Sequence, residues 1–254
     1  MVLITAAGNE ESGKEVMALL LNQQDADIKI TEEMLKAAAG NWYSGKEMMA
    51  LLLNQQEADI KITEKVLKAA AENQHSGKEV MALLLNQQDA DIKITEEVLK
   101  AAARNWYSGK KVMALLLNQQ EADIKITEEV LKAAARNWYS GKKVMALLLN
   151  QQEADIKITE EVLITAAGNE KSGKKVMALL LNQQDADIKI TEEVLKAAAR
   201  NWYSGKKVMT LLLNQQDADI KITENVLKAA AGNKYSGKEV MALLLKYQST
   251  RSRH

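Results

Sequence analysis

The phrase Ile-Thr-Glu recurs along the chain at a fixed spacing of 32 residues, and this periodicity constrains the fold more than any other feature. The threonines of the phrase are Thr31, Thr63, Thr95, Thr127, Thr159, Thr191 and Thr223. A glycine keeps the same step at Gly13, Gly45, Gly77, Gly109, Gly141, Gly173, Gly205 and Gly237. A period of about 20–50 residues is typical of solenoids and repeat arrays. We therefore expect about eight copies of one structural unit.

Each repeat contains two segments with helical periodicity. In the second repeat, Thr31 precedes two glutamates, a pattern that suits an N-cap followed by acidic groups at the positive end of a helix dipole. We expect Asn41 to end this helix in the left-handed αL conformation. The second helix begins at Ser44, which forms a capping-box pattern with Glu47.

The second helix carries three consecutive leucines, as in 51–53, which predicts burial on more than one side. The alternating segment 60–62 is too short to build a sheet. A lone pair of helices of about 10 residues is marginal in water, whereas stacking on a neighbouring pair covers the apolar face. The sequence therefore predicts an all-α fold, a superhelical α-solenoid of helix-turn-helix repeats.

The two ends of the chain lack the polar caps that solenoids normally carry. We assign residues 1–246 to one tandem-repeat solenoid, whose first unit is truncated because it opens inside a first helix without its threonine. Residues 247–254 form a polar, basic C-terminal tail. We expect a fragment of a longer array or of a larger protein, and the uncapped ends suggest the hypothesis of end-to-end self-association.

Composition excludes several classes of site. The chain has 34 Lys and Arg against 34 Asp and Glu, no Cys and two His, which excludes disulfides, thiolate metal sites and multi-His metal centres. A net charge of zero argues against strong nonspecific binding to nucleic acid or to an anionic membrane. Apolar runs fall far short of the ~18 residues that span a bilayer, and the start has no basic signal-peptide region. We expect a soluble, cytoplasmic protein.

The differences between the copies cluster around the turn that joins the two helices. In a stack, equivalent turns line up along one edge, and Trp, Tyr and Arg are enriched at binding hot spots. Drift at tolerant exposed sites, or packing of each Trp on the neighbouring unit, would also explain the pattern. The candidate binding edge comprises Trp42, Tyr43, Arg104, Trp106, Tyr107, Lys111, Arg136, Trp138, Tyr139, Lys143, Arg200, Trp202, Tyr203 and Lys207.

No motif indicates catalysis. The segment from Gly40 to Lys46 matches part of a phosphate loop, but the following residue is Glu47 rather than Ser or Thr, and a helix rather than a strand precedes it. Paired acids such as Asp25 and Asp27 recur in every loop and suit a turn or a cap. Catalysis needs a unique, preorganised set of groups, which near-identical copies do not offer. We expect no enzyme activity, no cofactor and no metal.

Three resemblances bear on function. The segments Leu115 to Ile124 and Ala134 to Asn137 resemble ankyrin helices, although the β-hairpin finger and the TPLH motif are missing. The whole repeat phrase, over about residues 1–246, more closely resembles short ankyrin-type repeats of fungal NACHT/NOD-like receptors. That resemblance implies variable binding positions and a role in recognition of non-self. The phrase Thr-Glu-Glu-Val, an Ala-rich helix and a Gly-Lys after a variable turn also resemble TAL-effector-like DNA-binding repeats.

These observations favour a non-catalytic scaffold that recognises a protein or peptide ligand through the candidate binding edge. The alternatives are a structural spacer and sequence-reading nucleic-acid binding, which the neutral charge and the bulky aromatic turn disfavour.

Overall fold

The structure is a computed structural model that describes residues 2–22, 29–55, 60–87, 92–119, 124–151, 156–183, 188–215 and 220–251. These residues form sixteen α-helices and no strand. The chain divides into two compact units, Met1–Lys125 (unit 1) and Ile126–His254 (unit 2), and each is described by itself. The loop acids Asp25 and Asp27 lie outside the described residues.

The helices of unit 1 are α1 Val2–Gly8, α2 Gly13–Leu21, α3 Glu32–Gly40, α4 Gly45–Leu53, α5 Glu64–Glu72, α6 Gly77–Leu85, α7 Glu96–Arg104 and α8 Gly109–Leu117. Those of unit 2 are α9 Glu128–Arg136, α10 Gly141–Leu149, α11 Glu160–Gly168, α12 Gly173–Leu181, α13 Glu192–Arg200, α14 Gly205–Leu213, α15 Glu224–Ala231 and α16 Gly237–Arg251. The final helix therefore continues through residues 247–251.

Both units have the same two-layer packing. Within each unit the first helices of successive repeats pack on one another, as α3 packs on α5, and so do the second helices, as α12 packs on α14. Each first helix also packs on the second helix of its own repeat. This arrangement confirms the predicted all-α repeat solenoid, since each hairpin covers the apolar face of the next.

The core consists of the apolar positions that recur in every repeat. Val112, Met113 and Leu116 in α8 are fully buried, whereas Leu115 and Leu117 are half-buried. The leucine triplet therefore has one core residue and two residues at the margin of the core. In unit 2, the alanines 133–135 of α9 are all buried, and their small side chains allow close approach of the neighbouring helices.

The threonine caps form as predicted at six of the seven threonines, and Thr63 is the exception. Thr127 Oγ1 accepts a hydrogen bond from the Val130 N–H at 3.4 Å, and equivalent bonds form at Thr95 and Thr191. Each cap satisfies one of the free N–H groups of the first turn.

Two local predictions at the turn are wrong. Asn41 has φ −68° and ψ 119°, and no described residue has a positive φ, so the helix ends in extended backbone rather than in αL. The Ser44–Glu47 capping box does not form, because the Ser44 N–H donates to Asn41 Oδ1 at 3.0 Å and the Ser44 side chain caps nothing. The asparagine thus accepts the hydrogen bond from the Ser44 N–H that Glu47 would accept in a capping box.

No helix among the described residues is long and apolar enough to cross a membrane.

Candidate recognition edge

A buried asparagine holds each inter-helix turn in place. Asn201 is 3% exposed, and its Oδ1 accepts hydrogen bonds from the N–H groups of Tyr203 at 3.2 Å and Ser204 at 2.9 Å. Its Nδ2 donates to the backbone carbonyls of Ala167 at 2.8 Å and Asn169 at 3.0 Å, both in the preceding repeat. One side chain therefore shapes its own turn and fastens it to its neighbour.

The serine of the turn adds a second link. Ser204 Oγ donates to the carbonyl of Asn169 at 3.2 Å, and Ser108 Oγ in unit 1 makes the equivalent bond to Asn73 at 2.8 Å. We call this arrangement the Asn-Ser bridge: Asn-x-x-Ser in one turn, bonded to the last carbonyls of the previous first helix. It recurs within unit 1 and within unit 2. The carbonyls at the end of a helix need hydrogen-bond donors when they are buried. The bridge supplies these donors and so fixes the position of each turn.

The glycine after this serine lets the two helices of a repeat approach closely. A Cβ on Gly205 would lie 2.7 Å from the carbonyl oxygen of Ala198, which belongs to the facing helix. Real Cβ atoms do not come this close to a backbone oxygen, so the second helix starts with Gly.

The turn aromatics project into solvent from this fixed frame. Trp42, Trp106, Trp138 and Trp202 are 42–58% exposed, and the tyrosines that follow them are 62–71% exposed. The indoles are therefore half packed against protein and half exposed to water. This lies between fully exposed turn sites and tryptophans packed on the neighbouring unit, which are both compatible with the sequence.

Ring contacts connect neighbouring repeats. In unit 1 the Trp42 and His75 ring centroids are 5.2 Å apart, and Tyr43 stacks on the same imidazole at 5.9 Å. In unit 2 the Trp202 and Tyr235 centroids are 5.6 Å apart. At these two places a turn aromatic thus covers part of the ring that follows in the next repeat.

The basic candidate residues are exposed as well. Arg104 and Lys111 lie on unit 1, and Arg136, Lys143, Arg200 and Lys207 lie on unit 2. Each arginine ends a first helix and each lysine lies in the first turn of a second helix, so both flank the aromatic turn of their own repeat.

A cleft of about 500 Å³ opens beside this edge in unit 2. Its lining includes Lys196, Arg200 and Trp202 of one repeat and Lys228 and Gly232 of the next. Gly232 stands where three other repeats carry arginine, so the missing side chain leaves the space open. The cleft does not follow from the sequence alone, although the exchange of glycine for arginine is visible there.

The perturbed carboxylates lie at the N-terminal ends of the first helices, away from the turns. A hydrogen bond from Lys100, 2.5 Å from Glu97, lowers the pKa of Glu97 and raises that of Lys100. In unit 2, Asn225 donates to Glu192 at 2.9 Å and lowers the pKa of that carboxyl. No group of three metal-ligating side chains occurs among the described residues.

Comparison with known proteins identifies the repeat but not a function. A family model described as a domain of unknown function, DUF7104, matches residues 1–17, 19–49, 51–81, 83–113, 115–145, 147–177, 179–209 and 211–241. No curated protein matches the chain. The eight matches cover most of the sequence with the period seen in the structure, and the chain therefore belongs to the DUF7104 family.

Proposed function

We propose that the chain is a cytoplasmic, non-catalytic recognition scaffold that binds a protein or peptide ligand through its turn edge. The turn edge comprises, in each repeat, the last residue of the first helix, the two residues after the asparagine, and the second and third residues of the second helix. In its fuller form, which the resemblance to fungal NACHT/NOD-like receptors suggests, the scaffold is the sensing segment of an innate-immunity-type receptor.

The observation that carries the proposal is the half-exposure of two tryptophans in each unit, each on a turn that a buried asparagine holds in place. Large exposed aromatic rings lose contact with water when a partner covers them, and Trp, Tyr and Arg contribute most of the energy at protein interfaces. The Asn-Ser bridge holds the backbone of each turn in advance, which lowers the entropy cost of binding.

Selection of a random peptide library on the full chain tests the proposal. Selected peptides should bind much more weakly to the double variant Trp138→Gln and Trp202→Gln, whose new residue is the one that the third repeat carries at Gln74. The matched control is the double variant Glu161→Gln and Glu193→Gln, which changes exposed residues at the opposite ends of the first helices. Equal loss of binding in both variants, or none in either, contradicts the proposal.

A structural spacer is the second candidate, and the ring contacts between repeats favour it. If the Trp202–Tyr235 contact serves only stability, then Trp202→Gln lowers the free energy of unfolding and the library yields no peptide that depends on the turn.

A further inference from the structure

Although the chain has a net charge of zero, unit 2 carries a strongly basic surface. The turn edge of this unit holds eleven basic side chains and two acidic ones, Glu170 and Glu239. The basic residues are Arg136, Lys142, Lys143, Lys171, Lys174, Lys175, Arg200, Lys206, Lys207, Lys234 and Lys238, and all eleven are exposed. Among the described residues, none of them lies within 4.0 Å of a carboxylate.

The corresponding positions of unit 1 are balanced. They carry six basic and six acidic side chains. The largest single contribution comes from the third residue of the second helix. It is glutamate in three of the four repeats of unit 1 (Glu15, Glu47 and Glu79) and lysine in three of the four repeats of unit 2 (Lys143, Lys175 and Lys207).

These lysines are unfavourable for the helices that carry them. Each lies in the first turn of α10, α12 or α14, where the helix dipole is positive and where no acidic residue is present. A neighbouring lysine directly precedes each of them. Two adjacent lysines in the first turn oppose helix stability, and they occur in three successive repeats. Such a recurrent unfavourable arrangement indicates a compensating interaction with an anion.

The positions of the aromatic rings decide between a nucleic acid and an acidic peptide. A base stacked between two rings needs a gap of roughly 7 Å between them, twice the stacking distance. The Trp202 and Tyr235 centroids are only 5.6 Å apart, and Lys171 Nζ lies 5.5 Å from the centre of the Tyr203 ring. Trp202, Tyr203 and Tyr235 are therefore each in contact with a side chain of a neighbouring repeat, so these three rings do not form an open series of stacking platforms.

The spacing of the repeats suits an extended acidic peptide. Packed helices lie about 8–10 Å apart, which sets the distance between successive clusters of basic side chains. Three residues of an extended chain span about 10 Å. We propose that the turn edge of unit 2 binds an extended segment of a partner protein with an acidic side chain at about every third residue. This inference rests on the proposed recognition function and names its ligand.

The test measures binding by fluorescence anisotropy of a labelled peptide with Glu at every third position and Gly or Ser between. The variant is Lys143→Glu, Lys175→Glu and Lys207→Glu, which installs the residue that three of the four repeats of unit 1 carry at the same position. Because glutamate suits the start of a helix, thermal unfolding should show that this variant is at least as stable as the wild type.

We expect the peptide to bind the wild-type chain, to weaken roughly tenfold or more on the triple variant, and to weaken as salt rises. The reverse variant, Glu15→Lys, Glu47→Lys and Glu79→Lys, should bind the peptide more tightly than the wild type. An oligothymidylate of equal length should bind the wild type more weakly than the peptide does.

Unchanged peptide affinity in the triple variant, or tighter binding of the oligothymidylate, overturns the inference. The library selection separates this failure from failure of the proposed function. If the acidic peptide fails while selected peptides still depend on Trp138 and Trp202, recognition stands and only the acidic ligand is refuted.

Discussion

The substitution Asn201→Ala tests how much stability one Asn-Ser bridge contributes. The side chain makes four hydrogen bonds, two to the N–H groups of Tyr203 and Ser204 and two to the carbonyls of Ala167 and Asn169. Asn169 O keeps partners in the variant, because Gly173 N–H and Ser204 Oγ also donate to it. The main losses therefore fall on the Ala167 carbonyl and on the Ser204 N–H.

The size of the effect follows from burial. An unpaired buried polar group costs about 1–3 kcal/mol, so two such groups give a loss of about 2–6 kcal/mol in the free energy of unfolding, centred near 4. Chemical denaturation followed by circular dichroism measures this loss. Amide hydrogen exchange should show that Ser204 and Tyr203 lose protection.

The matched control is Asn214→Ala. Asn214 is exposed at the end of α14, so its removal should change the free energy of unfolding by less than about 0.5 kcal/mol. If both variants lose the same small amount of stability, the bridge does not hold the repeats together and our account of the turn is wrong.

Three further predictions follow from the packing and the electrostatics. Gly173→Ala should destabilise the chain by at least about 1 kcal/mol, because the new Cβ would lie 2.7 Å from a backbone oxygen. Gly168→Ala should instead stabilise the chain by about 0.5–1 kcal/mol, because open space surrounds that position. Both are measured by denaturation, and equal effects would contradict the close approach. Leu116→Ala should cost ~2–5 kcal/mol, since the side chain is fully buried, and an unchanged unfolding midpoint would refute its burial. Asn225→Ala should raise the pKa of Glu192 toward its ordinary value, because the hydrogen bond from Asn225 is the largest cause of the lowered pKa. Carbon-detected NMR titration measures the pKa of Glu192, and an unchanged pKa would be evidence against the contact.

The hydrogen bond from Asn225 to Glu192 also makes the free energy of unfolding depend on pH. A carboxyl with a lowered pKa in the folded state stabilises the fold above its unfolded pKa, and that stabilisation is lost as the pH falls through the folded value. The wild-type chain should therefore lose slightly more stability than the Asn225→Ala variant on acidification.

The helices and their threonine caps were predictable because they depend on local sequence. Thr127 precedes the glutamates of its own helix, and the periodic apolar residues specify which face is buried. The Asn-Ser bridge was not predictable in the same way, because its acceptors belong to the preceding repeat. Asn201 bonds to Ala167, 34 residues earlier, and a local interpretation of such an asparagine favours a helix stop. The fixed Asn-x-x-Ser spacing in every copy was the available indication.

Part of the candidate binding edge was also predictable from the sequence. The comparison of copies found the aromatic and basic turn residues, and the structure places them at the surface around each turn. The basic excess of unit 2 does not appear in the net charge of the whole chain, which is zero. Charge segregation becomes visible only when the positions are grouped by the edge that they occupy.

The most direct test of the central claim, that each hairpin folds because its neighbour covers it, is the helicity of fragments of increasing length. A single repeat, residues 159–190, is compared by circular dichroism with two and three successive repeats and with the full chain. The account predicts a largely unfolded single repeat and a helical signal per residue that rises steeply with each added repeat. A single repeat as helical as the full chain would contradict it.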